Sequence, residues 1–378
     1  MARVPKLSRR IRWAIPVGAL VVTSAVMAGS LISVAQASPG LPSRTPAQLL
    51  AQVADSVTPP LTGTVVETAS LGLPSLPGTA NPTSIASLLT GSHTVRVWYS
   101  GPRHFRLAVP EPLSETDVIA DGNTAWQWES TANAVTEYSL PAEAKAPQAA
   151  PTTAPLTPQQ AAQQVLAAVG PTTTVSVDSN VTVAGQPAYE LVLAPKDSRS
   201  LVGQVQIAID GKNGVPLRLQ VYTRGASSPA FGVGYTSIQF VTPAPADLTF
   251  TPPPGATVTR VNLSAPSGSD RMQGDVSTIG SGWLTVLDLP SAGLTAPSGS
   301  GPAPGSGGSS DSAAVLNALL LSATPVSGAW GSGRLLRTSL VSVLITAGGR
   351  TFVGAVQPSV LYAAAGQAPA GSSSTQAP

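Results

Sequence analysis

Between residues 201 and 258 the chain alternates with a period of two: Val205, Ile207 and Ile209, then Leu217, Leu219 and Val221, carry apolar side chains with mostly polar residues between them. Successive side chains of a strand point to opposite faces, so this pattern demands a sheet with one dry and one wet face. The same reading extends upstream. Runs at 63–69, 94–99, 104–109, 116–120, 124–129 and 135–140 read as strands, followed by 173–178, 188–194, 204–210, 216–224 and a glycine-bent run at 232–241. Asp121-Gly122 is a tight-turn dipeptide joining two of them. Together they predict a large antiparallel sheet.

A dry face must be covered. Two stretches offer amphipathic helices, each opened by a Thr N-cap and a Pro at the first helical position: Thr45-Pro46 and Thr157-Pro158. Leu49, Leu50, Val53 and Val57 form one apolar stripe; Ala161, Ala162, Val165, Leu166 and Val169 form the other, which stops at Gly170-Pro171. These stripes either cap the sheet or act as movable lids over a cavity. Their area is small against a sheet of this size, which leaves room for an apolar ligand.

The N-terminus sets the compartment. Arg3, Lys6, Arg9, Arg10 and Arg12 precede an uncharged run at 13–35, and Ala35-Gln36-Ala37 supplies an A-x-A cleavage site. Residues 1–37 therefore read as a signal peptide, or as a signal anchor because the run is long enough to span a bilayer; Ser8-Arg9-Arg10 offers a poorer twin-arginine alternative. Without this segment 15 basic residues face 18 acidic ones, a net charge of −3. The high isoelectric point belongs to the leader, and nucleic-acid binding is not expected. The chain has no cysteine, which excludes disulfides, Cys-ligated metal and a lipid-acceptor thiol.

Beyond 260 the character shifts. Polar residues at 264–275 read as a linker, 281–289 as a strand, and 291–311 as a disordered Gly/Ser/Pro linker. A helix at 312–322 with Leu316, Leu319 and Leu320 is expected next, then a hairpin of 335–346 and 350–356 around Ala347-Gly348-Gly349, and a closing helix at 358–365. Residues 340–345 are too apolar to stay solvated, so 276–365 reads as a small second domain. Residues 142–157 and the tail at 366–378 are low-complexity.

Reactive chemistry is sparse. His93 and His104 stand at no metal-ligand spacing, and no G-x-S-x-G, H-E-x-x-H, complete G-x-G-x-x-G or phosphate loop occurs. No catalytic residue, metal or cofactor is expected. Glu111, Glu115, Asp117 and Asp121 form the densest acidic group; Glu115 and Asp117 share a strand face but read as a solvated edge rather than an acid/base pair. Trp126 and Trp128 share the face of one strand, for sheet packing or for gripping a ligand.

Two blocks carry a resemblance. GPRHFRLAVPEPLSETDVIADGNTAWQWES at 101–130 resembles the Pro-x-x-Phe and Asp-Gly-x-x-x-Trp stretch of the LolA-type lipoprotein carriers, and LTFTPPPGATV at 248–258 resembles the Pro-Pro-x-Gly ending of the same family. With the helices they cover roughly 45–260. The resemblance implies an α+β, mostly β fold: a curved antiparallel half-barrel covered by short helices, holding lipid or lipoprotein acyl chains, with a small C-terminal α+β domain. Under it Leu49, Leu50, Val53, Val165, Leu166 and Val169 are lid candidates, and Phe105, Trp126 and Trp128 wall candidates. The same half-barrel serves the MucB/RseB regulators, which implies as an alternative a sensor contacting a membrane anti-sigma factor, and mycobacterial lipoproteins similar to LprG and LppX. Two departures stand out. The arginine that governs lid opening in the carriers is matched here by Gly101, and the Ala/Gly/Pro-rich composition with no acceptor cysteine fits an actinobacterial exported protein.

Overall fold

Thr45 and Pro46 start the first element as their types require. In α1 (Pro46–Asp55) Thr45 accepts from the Gln48 amide while the Gln48 side chain reaches back to the Thr45 amide, a reciprocal capping box. The structure, a computed structural model, describes residues 40–73, 90–140, 170–262, 277–290, 319 and 322–367. The signal segment expected at 1–37, the linkers expected at 264–275 and 291–311, the second expected helix and nearly all of the helix expected at 312–322 lie outside the described residues.

Twelve strands form the first sheet: β1 (Leu61–Ser70), β2 (Thr90–Gly101), β3 (His104–Pro110), β4 (Glu115–Asp121), β5 (Thr124–Glu129), β6 (Ala134–Ser139), β7 (Thr173–Val183), β8 (Gln186–Pro195), β9 (Val202–Asp210), β10 (Pro216–Thr223), β11 (Phe231–Gln239) and β12 (Thr257–Asn262). Their spatial order is β12-β6-β5-β4-β3-β2-β1-β11-β10-β9-β8-β7. β12 and β7 end the sheet, which stays open. Register shifts at Thr64/Val65, Tyr99/Gly101, Val177/Asn180, Pro216/Arg218 and Tyr222/Thr223 bend the strands, as bulges do.

Every strand expected up to 241 is present. β12 was not foreseen, and it pairs parallel to β6 where all other pairs in this sheet are antiparallel. That pairing follows from a crossover. β11 and β12 lie seven strand spacings apart in the sheet, ~34 Å at about 4.8 Å each, and the connection at 240–256 is long enough to cross that span. Its short helix α2 (Pro245–Leu248) lies against β3 and β4, and the Pro252-Pro253-Pro254 run, which cannot donate to a ladder, leads into β12. The family-like block at 248–258 is therefore a strap over one face of β3–β5.

The C-terminal unit is a six-stranded antiparallel sheet, β13 (Ser277–Ile279), β14 (Val286–Pro290), β15 (Thr324–Gly328), β16 (Gly331–Arg337), β17 (Ser342–Thr346) and β18 (Arg350–Gly354), in the order β13-β14-β18-β17-β16-β15. α3 (Pro358–Gln367) buries Leu361 and Ala364 on a core of Val286, Leu335, Leu344, Phe352 and Val356. Two expectations need correcting here. The strand expected over 335–346 breaks into β16 and β17, because the Thr338 hydroxyl accepts from the amides of Leu340 and Val341 and turns the chain. The strand expected over 281–289 begins as a 3-10 turn at Gly282–Leu284, where Gly282 takes a φ of +59°.

The two sheets are bonded along one seam. The Leu201 amide donates to the Ala355 carbonyl at 2.9 Å, Gln357 to Arg199 at 2.8 Å and Ser339 to Leu71 at 2.9 Å, while Trp283 Nε1 donates to Thr173 Oγ1 at 2.7 Å. Leu340 and Trp283 pack into a cluster with Val202, Val205, Val221, Ala230 and Phe231.

Candidate functional site

Strand registers decide which side chains can share a surface. One row runs across seven strands: Val177, Leu191, Ile207, Leu219, Val233, Glu67 and His93 are successive cross-strand partners from β7 to β2. Two and four residues further along β2, Val95 and Val97 keep the same face, and the rows Val97–Leu107–Val118 and Tyr99–Phe105–Ala120–Ala125 carry it across β3 to β5. α1 docks on this face. Leu49, with none of its surface exposed, packs with Tyr189, Leu191 and Ile209, and Leu50 and Val53 join the same cluster. Val97, Phe105, Leu107, Val118, Val205, Ile207, Leu219, Val221 and Val233 are apolar yet only half-buried, so among the described residues this face is incompletely covered.

Trp126 and Trp128 lie on the other face. Trp126 stands opposite Ile119, which stands opposite Arg106; Trp128 stands opposite Asp117, itself opposite Ala108. Since Phe105 faces Ala120, strand parity separates it from both tryptophans, and the three wall candidates do not line one cavity. The strap covers the tryptophans: Phe250 sits 6.0 Å from Trp126 and 6.4 Å from Trp128, centroid to centroid. Of the lid candidates, Leu49, Leu50 and Val53 come together, whereas Val165, Leu166 and Val169 lie outside the described residues.

The acidic group departs from its expected solvated edge. Asp117 is fully buried and ion-paired with Arg106, whose Nη2 also lies 3.4 Å from Glu115 Oε1 and whose guanidinium carbon sits 5.5 Å over the Trp98 ring. Burial pushes the Asp117 carboxyl up to about 7, with Arg106 opposing and Glu115 adding to the rise. The reason is topological: β4 is an interior strand, and the strap seals its odd-numbered side, the side of Asp117. Glu115 and Asp117 do share a face, but Arg106 lies against both, so they form an ion-pair group rather than an open acid/base pair. Asp121 stays at the surface with His104 at 3.1 Å.

Sequence reasoning missed Glu67 and His93. They are direct cross-strand partners in the apolar row, His93 being only 2 % exposed, and Glu67 Oε2 is buried without a hydrogen bond. Burial raises the Glu67 carboxyl above its ordinary range, partly offset by His93. The alternation Val65, Glu67, Ala69 in β1 was the available signal, a charge at a position of dry parity. Among the described residues no group of three or more His, Asp or Glu is arranged to hold a metal, and no helix is long and apolar enough to cross a membrane.

These features define an open-sheet protein of α+β, mostly β class, with an apolar face under a docked helix. No family model matches the chain, and none of the curated proteins does. Among solved structures it is similar to MucB in complex with MucA(peri), at 14% identity and a TM-score of 0.42, covering 85% of this chain and 97% of that one. It is also similar to an uncharacterized conserved protein from Thermus thermophilus, at 13% identity, a TM-score of 0.32 and coverage of 57% and 98%. A LolA superfamily protein from Nitrosomonas europaea follows at 11% identity and a TM-score of 0.21, with coverage of 55% and 99%. At these identities and TM-scores the likenesses assign no role to this chain, and nothing in them points to an actinobacterial source.

Proposed function

We propose that the protein is an exported binding protein that holds the acyl chain of a lipid or lipoprotein along the face of its first sheet on which α1 docks. The observation that carries this is the continuous apolar row from Val177 to Val233, covered by α1 at Leu191 and half-buried at Ile207, Leu219 and Val233, and extended through the half-buried Val97, Leu107 and Val118. Each methylene transferred from water to such a surface contributes about 0.8 kcal/mol, so a long chain is held without any catalytic group. On the opposite face β9 and β10 present Gln204, Gln206, Arg218 and Gln220, and the strap covers Trp126 and Trp128. Gly101 fits a holder whose lid is not governed by an arginine at that place. Its φ of +151° at a bulge is strained for any other residue.

Native mass spectrometry of gently purified protein tests the proposal. Bound acyl lipid is expected, and Leu107→Glu, which puts a charge on the half-buried face, is expected to lower its occupancy with the fold retained by circular dichroism. Protein that is empty and takes up no lipid on incubation would overturn it.

A sensor role is the second reading, favoured by one contact: Leu340 and Trp283 of the C-terminal unit pack against Val205, Val221 and Phe231 of the same apolar face. A ligand reaching that end would meet the second unit directly, and a membrane regulatory protein bound there could read occupancy. Removing residues 264–378 separates the roles: a carrier keeps lipid binding and its cellular effect, a sensor loses its partner.

A further inference from the structure

Resting on the acyl-chain proposal, we infer that Glu67, backed by His93, is the specificity-determining residue of the apolar face, and that it selects a neutral, hydroxyl-bearing lipid such as a monoacylglycerol over a free fatty acid. Five apolar side chains from β7 to β11, Val177, Leu191, Ile207, Leu219 and Val233, lead in register to Glu67. α1 covers Leu191, and a chain lying along the half-buried part of the row beyond it, over Leu219 and Val233, delivers its head group to the carboxyl. Glu67 Oε2 is buried and accepts no hydrogen bond, so it offers an acceptor to a ligand that brings a donor. A hydroxyl donates to it. A carboxylate head group has no proton to give and would set two like charges side by side away from water. An alkylammonium would meet the carboxylate favourably but must lose its own hydration beside the His93 ring, directly opposite and only 2 % exposed. The desolvation of Glu67 is independent of any ligand, since burial already raises its carboxyl. The flanking positions on the face, Val65, Val95 and Val233, hold no further charge to compensate an anion.

The test compares 1-lauroylglycerol, laurate and dodecylamine, all monomeric, by isothermal titration at pH 8 with the full chain. The lauroylglycerol is expected to bind at least about ten-fold more tightly than laurate, the scale of one like-charge contact at partial burial. In Glu67→Gln, which keeps an acceptor and removes the charge, the two should fall within about three-fold of each other. Glu67→Met serves the same purpose should the first variant not fold, and is expected to favour laurate relative to wild type. Equal binding of both lipids by wild type, an unchanged ratio in the variants, or amine binding tighter than glyceride each overturns the inference while leaving the acyl-chain proposal standing. Failure of all three amphiphiles to bind overturns the proposal itself, and the inference with it.

Discussion

Replacing Asp117 by Asn should abolish this site's contribution to the pH dependence of stability. In the folded protein the carboxyl titrates at about 7 against an ordinary value of 3.8, because its complete burial outweighs the Arg106 ion pair and Glu115 adds a like charge. Between those values the unfolded chain has released the proton and the folded chain still holds it. The folded state therefore binds more protons, and stability falls as pH rises. The contribution is fully present below about 4 and is lost as pH passes through 7. At about 1.4 kcal/mol per unit the ceiling is on the order of 4 kcal/mol, and sharing of Arg106 with Glu115 reduces it. Asn keeps an acceptor for Arg106 and removes the titration. Urea unfolding followed by tryptophan fluorescence from pH 4 to 8, for wild type and Asp117→Asn, gives the difference directly, and other carboxyls cancel. The stability of the variant relative to wild type should climb between pH 4 and 7 and level off above. A flat or falling difference would show that Asp117 is ionised throughout, and the argument from burial would fail.

Leu49→Ala removes a fully buried side chain that docks α1 on Tyr189, Leu191 and Ile209, and should cost about 2 to 4 kcal/mol in the same urea assay; a loss under about 1 kcal/mol would mean that α1 is not held by this contact. Phe250→Ala removes the strap's anchor between Trp126 and Trp128, each aromatic contact being worth about 0.5 to 1.5 kcal/mol beyond its area, so a loss of roughly 2 to 3 kcal/mol is expected. Acrylamide quenching should rise in that variant and be largely restored in Phe250→Leu; unchanged quenching would place the tryptophans elsewhere.

Strand identity was legible wherever side chains alternate, as in Val205, Ile207 and Ile209, because periodicity is a property of the sequence itself. The Thr-Pro start of α1 was legible for the same reason: a cap acts within four residues. What could not be read is whatever depends on partners far along the chain. Parity places Trp126 and Trp128 together but says nothing of their relation to Phe105, which is fixed only by the registers through β4. The burial of Asp117 depends on a strap more than a hundred residues later, so four nearby carboxylates looked like a wet edge. Residues 338–341 looked strand-like because Leu340 and Val341 are apolar, whereas the Thr338 hydroxyl competes locally for their amides.

The parallel pairing of β12 with β6 also bears on the order in which the chain folds. Thr257 meets Ala134, 123 residues earlier in the sequence, and loops of that length close late. The antiparallel neighbours β1 to β6 and β7 to β11 pair largely as hairpins and can form as the chain is made. Until residue 262 is available, β6 is a bare edge and the tryptophan face lies open, so the half-made protein is at its most aggregation-prone just before the strap arrives. Binding of a chaperone should therefore be strongest to chains ending shortly before Pro245, and should drop once β12 has been added.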